Sequence, residues 1–151
     1  MDAALIAYLL AAAIRITGLP GVAAAHLPEF VALPARELER QVCPDGGNGC
    51  RGIVAYFDRL HFRILYRDTL DLEQPFDHSF LLHEIVHVLQ YREFGNAMYA
   101  DCRSTLRTEA EAYRAQNRYL RDTGQLAYVG FSLRTTDCAG AGLGRLAPGP
   151  A

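Results

Sequence analysis

His83, Glu84 and His87 lie in the stretch FLLHEIVHVLQ, residues 80–90, and spell HExxH. Two histidines four apart on a helix project from one face, one turn apart, and can grip a single zinc ion. Glu84 points about a hundred degrees around the helix from His83, near enough to take a proton from water at the metal without becoming a ligand. Zinc lowers the pKa of such a water towards ~7 and polarises a carbonyl, so the chemistry on offer is hydrolysis. The neighbours sharpen the pattern. Phe80, Leu81, Leu82, Ile85, Val86, Val88 and Leu89 are all apolar, so three polar groups sit in a helix built for burial, where each needs a partner.

A catalytic zinc takes three protein ligands and keeps its fourth position open. Gln90 stands where the metzincin pattern HExxHxxGxxH requires glycine, and no third histidine follows, which excludes that class. Downstream, RTEAEAYRAQNRYL offers Glu109 and Glu111. With Glu109 at zero on a helical wheel, Tyr113, Leu120, Gln116 and Leu106 fall at about +40°, +20°, −20° and +60°, a stripe that faces the core. Glu111 falls near 200°, on the side of Arg107, Arg114, Arg118 and Arg121, where a solvated glutamate belongs. Glu109 is the expected third ligand.

With these residues the chain resembles the zincin metallopeptidases, and more narrowly the gluzincins, in which a second helix bearing a glutamate ligand follows HExxH. EAEAY, Glu109 to Tyr113, is similar to the ExxAD pattern of the prenyl-protein endopeptidase branch, with Tyr113 in place of aspartate. The chain also resembles small bacterial HExxH domains in which HExVHxxQ precedes ExxAYxAQ; His83, Glu84, His87, Gln90, Glu109, Ala112, Tyr113 and Gln116 fit that form. The resemblance covers chiefly residues 79 to 122. It implies a Zn2+ cofactor on His83, His87 and Glu109, Glu84 as general base, and a peptide or protein substrate. The family aspartate buttresses a zinc-binding histidine. Tyr113 is therefore expected either to accept that hydrogen bond or to aid the oxyanion. Gluzincins also supply a histidine or tyrosine to the tetrahedral intermediate, for which Tyr66, Tyr91, Tyr99, Tyr128 and His61 are candidates. The rival function is a zinc-binding or peptide-binding domain without catalysis, since the chain is short and lacks an obvious second subdomain to wall a cleft.

The elements that position these groups can be read coarsely. The opening MDAALIAYLLAAAIRITGLPGVAAAH imitates a secretory signal cleaved after Ala25, but Asp2 and Arg15 are out of place in one. Leu5, Leu9, Ala12 and Ile16 recur at helical spacing before Gly18 and Pro20, which favours an amphipathic helix packed on the core. HLPEFVALPARELERQV reads as an extended segment followed by a short polar helix. Residues 52 to 57 and 61 to 67 are β-rich runs around a turn at Asp58 and Arg59, the pattern of a hairpin. The motif helix is expected from about Ser79 to Phe94, capped by Asp77 or Ser79 and ended at Gly95. Its partner helix is expected from about Ser104 to Asp122. Tyr128, Val129, Phe131 and Leu133 then alternate loosely, and the Gly- and Pro-rich end, about 139–151, reads as a flexible tail. The fold class is α+β, one compact domain over residues 1–151: an N-terminal helix, a small sheet and two packed helices around the metal.

Composition bounds the rest. At 151 residues, half of them apolar, the chain suits a single core. A net charge of −2 with interspersed signs gives no phosphate-tracking stripe, so nucleic acid is not an expected partner, and no apolar run has the roughly 20 residues of a membrane span. The four cysteines form no CxxC. Pairing Cys43 with Cys50 and Cys102 with Cys138 suits an exported or periplasmic protein, whereas four reduced thiols suit the cytosol. His26, His61 and His78 have no metal-like spacing.

Overall fold

A computed structural model describes residues 1–46, 50–131 and Cys138. Among these described residues the fold is α+β, four α-helices and a three-stranded sheet. Helix α1 (Ala3–Thr17) starts where the Asp2 carboxylate accepts the Ala4 N–H and stops at Gly18, whose φ of +71° closes the helix in the left-handed region that glycine tolerates. It buries Leu9, Leu10, Ala12 and Ala13 against the later helices, as the amphipathic reading requires. The extended segment becomes strand β1 (Glu29–Leu33), and the short polar helix becomes α2 (Ala35–Val42). Leu38 and Val42 on α2 bury with Leu65 in a small second core.

Strands β2 (Ala55–Asp58) and β3 (Arg63–Arg67) form the expected hairpin. The sheet order is β1-β3-β2, with β1 parallel to β3 and β2 antiparallel to it. Strand β2 is therefore an edge, and Phe57 pairs opposite Ile64. That edge faces the motif helix, α3 (Pro75–Phe94), which packs on α1, β2 and α4 (Cys102–Asp122).

Helix α3 explains its own sequence. All ten residues from Leu81 to Gln90 are buried, because helices cover two sides and the sheet a third. A helix enclosed in this way is apolar all round, so any polar residue within it stands out. Its start differs from the expected one. The helix begins at Pro75, four residues before Ser79, because proline's fixed φ suits the first helical position. Neither Asp77 nor Ser79 caps it: the Asp77 carboxylate accepts the Asp71 N–H at 2.7 Å and the Ser79 hydroxyl donates to the Phe76 carbonyl at 2.6 Å. Gly95 ends the helix with φ +55°. A 3-10 turn, Gly95–Tyr99, then leads to α4, whose N-cap is Asp101, accepting the Ser104 N–H at 2.7 Å.

The structure contains both cysteine pairs, Cys43–Cys50 and Cys102–Cys138. Residues 125–130 follow α4 without forming a strand, and Leu133 and the tail from about 139 lie outside the described residues. Among the described residues, no helix is long and apolar enough to cross a membrane.

Candidate metal centre

Helices α3 and α4 bring His83, His87 and Glu109 together. The two Nε2 atoms are 3.0 Å apart, and the Glu109 carboxylate reaches within 3.2 Å of His87 Nε2 and 3.4 Å of His83 Nε2. Around a tetrahedral zinc with bonds of about 2.0–2.1 Å, ligand atoms lie about 3.3–3.4 Å apart. The observed separations are close to that edge length, and the donor set of two imidazole nitrogens and one carboxylate fits the ion. These residues can hold a metal.

Burial by itself does not demand one. No buried side-chain nitrogen or oxygen among the described residues lacks a partner. His83 Nδ1 meets Gln116 Oε1 at 3.0 Å, His87 Nδ1 meets Gln90 Oε1 at 2.8 Å, and Glu84 Oε2 accepts the Phe57 backbone N–H at 2.8 Å. Each of the three buried polar groups thus has the partner that its burial requires from within the protein. What points to a cation is the convergence of two Nε2 atoms and a carboxylate on one spot.

The electrostatics match that convergence. Burial pulls His87 down, but the adjoining Glu109 charge and hydrogen bond overcome it and hold the imidazole up at about 9. Burial pushes Glu109 up, yet the two histidines hold it well below the ordinary carboxylate range. A proton shared in this way is what a metal displaces. Glu84 is pushed up by burial, with His83 and His87 pulling it back.

One cavity of about 240 Å³ joins the site residues: His83, Glu84, His87, Glu109 and Tyr113 all line it, with β2 as the opposite wall through Ala55, Tyr56 and Phe57. Tyr113 does not accept from a histidine, because both Nδ1 atoms are taken by glutamines. Its ring stands edge-on to His83, centroids 4.5 Å apart, and burial followed by the nearby carboxylates raises its hydroxyl to about 12. Of the tyrosines and histidine weighed for the transition state, Tyr99 lines this cavity; Tyr66, Tyr91, Tyr128 and His61 do not. The Tyr99 hydroxyl is likewise raised, by burial first. Tyr99 arrives on the 3-10 turn, an element without periodicity to announce it, and Tyr56 on a strand that alternation alone cannot aim.

Glu111 also departs from expectation. It is only partly exposed and accepts a hydrogen bond from Gln90 Nε2 at 2.8 Å. The other histidines stay apart from the cavity. The His26 carbonyl accepts from Arg92, His61 pairs with Asp58 in the hairpin turn, and the His78 ring bridges the Leu72 carbonyl and the Tyr119 hydroxyl.

A family model described as a domain of unknown function, DUF6647, matches residues 23–138, most of the chain and the whole of this site, so the chain belongs to that family. No curated protein and no solved structure matches it.

Proposed function

We propose that this DUF6647 member is a zinc-dependent metallopeptidase of gluzincin type, with His83, His87 and Glu109 as ligands and Glu84 as general base. The observation that carries the reading is the meeting of His83 Nε2, His87 Nε2 and the Glu109 carboxylate in the same cavity as the buried Glu84. A zinc ion held by His83, His87 and Glu109 would supply Lewis acidity there, the chemistry that acidifies water and polarises a carbonyl oxygen. The remaining chemistry falls to the chain.

The Phe57 N–H fixes one Glu84 oxygen, Oε2, which leaves Oε1 to take the proton of an attacking water and pass it to the leaving amine. Tyr113, raised to about 12, keeps its proton through neutral pH and so remains a donor. Tyr99 is raised in the same sense. Either hydroxyl suits the negative charge that builds on the carbonyl oxygen. Strand β2 supports a peptide as substrate. Phe57 turns its N–H away from β3, and strand alternation turns the Ala55 backbone groups the same way, towards the cavity that Ala55 lines. An extended peptide could add to that edge by main-chain hydrogen bonds.

The test is the metal content of purified protein together with chelator-sensitive cleavage of a peptide library. One zinc per chain and restored turnover on zinc return are expected. Protein that binds no stoichiometric zinc overturns the metal assignment. Protein that binds one zinc and cleaves nothing is the non-catalytic domain instead.

A further inference from the structure

We propose that Gln90 and Gln116 are the positioning residues of this centre: two buried amides that keep a proton on Nδ1 of each histidine and so reserve both Nε2 atoms for the ion. The inference rests on the metal reading above and extends it to residues that touch neither metal nor substrate.

The amide orientations follow from what surrounds them. Gln90 Nε2 lies 3.1 Å from the Thr108 carbonyl and 2.8 Å from a Glu111 carboxylate oxygen. Both of those only accept, so the amide nitrogen must face them and the amide oxygen must face His87. On the other histidine, the Ser79 oxygen sits 2.6 Å from the Phe76 carbonyl, so its hydroxyl proton is given there and its lone pairs accept Gln116 Nε2 at 3.0 Å. The Gln116 oxygen is thereby turned to His83.

An amide oxygen cannot donate, so each histidine Nδ1 must carry hydrogen. Whatever the charge of the ring, Nε2 is then the nitrogen that can be bared, and the two Nε2 atoms already face one another and Glu109. Gln90 and Gln116 are each 1 % exposed, so water cannot replace an amide that turns away. Many metal-binding histidines lean on a carboxylate in this position. Here the direct partners are neutral amides, and a carboxylate, Glu111, stands only behind Gln90.

Three measurements test the assignment. Gln90→Met and Gln116→Met keep length and remove the acceptor; each is expected to weaken zinc binding, measured by chelator competition, by about 10–100-fold with the zinc-free fold retained by circular dichroism. Gln116→Glu is expected to bind zinc within a few-fold of the parent, because a carboxylate still accepts from His83 and the Ser79 hydroxyl can rotate to donate to it. Long-range 15N–1H spectra of the zinc-loaded parent protein should show Nδ1–H on both histidines; this needs no variant and holds if a Met variant fails to fold. Affinity unchanged in both Met variants, or zinc on an Nδ1, overturns the amide assignment alone. A parent protein that takes up no zinc overturns the metal reading itself, and the same spectra of the zinc-free protein above pH 9 then decide the tautomers.

Discussion

Glu84 on α3 accepts the backbone N–H of Phe57 on β2 at 2.8 Å, a hydrogen bond between residues 27 apart in sequence. It ties the proposed base to the edge strand that walls the cavity, so the group that moves the proton and the surface that would hold a peptide share one fixed frame. The bond also selects the informative substitution. Glu84→Gln keeps an oxygen for Phe57 and removes the base, so zinc content and thermal midpoint should stay near the parent values. Turnover should fall by about 10²–10⁴-fold, the usual worth of a positioned base. Peptide turnover that survives the change removes Glu84 from its role.

The His87–Glu109 pair gives the zinc-free protein a defined response to pH. His87 is held at about 9 in the folded chain against an ordinary 6.5. Its contribution to stability is whole below about 6.5, declines as the unfolded chain loses a proton that the folded chain keeps, and is gone above about 9. Glu109 is held low, so its contribution is present above its ordinary range and is lost as pH falls through the folded value. Thermal unfolding of zinc-free protein should therefore show stability falling from neutral pH towards 9. A zinc ion bound there would take the place of the shared proton, so zinc-loaded protein should not follow that alkaline decline. At a hundred times its dissociation constant, zinc should add about 2.7 kcal/mol. A zinc-free protein whose midpoint rises from pH 7 to 9 contradicts the pairing.

Gly130 backs the tyrosine of the cavity. Its φ is +79°, and a Cβ there would lie 2.6 Å from the Tyr113 ring. Asn117 fixes the approach, donating to the Val129 carbonyl at 3.0 Å and accepting its N–H at 2.9 Å. Gly130→Ala must push the Tyr113 ring towards His83 or strain the backbone, at a cost of roughly 1–3 kcal/mol. Chemical denaturation measures the cost, and a shifted His83 ring resonance reports the displaced tyrosine. An unchanged midpoint and an unchanged His83 spectrum would show that the segment does not brace the ring.

The two disulfides should differ in worth. Cys43–Cys50 spans 7 positions and Cys102–Cys138 spans 36. Loop-closure entropy assigns roughly 2–3 kcal/mol to the first and about 4 kcal/mol to the second. Paired Cys→Ala variants compared by urea unfolding should keep that order. A larger loss from the Cys43/Cys50 pair would mean that its loop carries native contacts beyond the cross-link.

Much of the site was legible because α3 is buried on all sides. Histidine, glutamate and glutamine amid seven apolar residues are conspicuous only where the fold leaves no exposed face to explain them. Glu109 was legible for the opposite reason: α4 has one buried stripe, and the wheel separates Glu109 from Glu111. The same wheel misread Glu111, because it assigns a direction from the helix axis but not the reach of Gln90 from the neighbouring helix. Tyr99 stood among five candidates that the sequence could not rank, because it arrives on a 3-10 turn, and Tyr56 escaped because strand alternation assigns a face but not the distant cavity it reaches. The expected start at Ser79 falls four residues late because Pro75, whose fixed φ suits a first helical turn, opens the helix ahead of its apolar run.

The sequence by itself determined the α+β class, the main elements, and the two histidines and glutamate that come together as a candidate metal site, all consequences of local periodicity and of which residue types tolerate burial. Only the tertiary structure decided that Phe57 anchors Glu84, that glutamines rather than Tyr113 stand behind the histidines, and that Glu111 joins them. Those are contacts between elements far apart along the chain. Their distances are set by how helices and sheet pack, and a one-dimensional pattern holds no record of that packing.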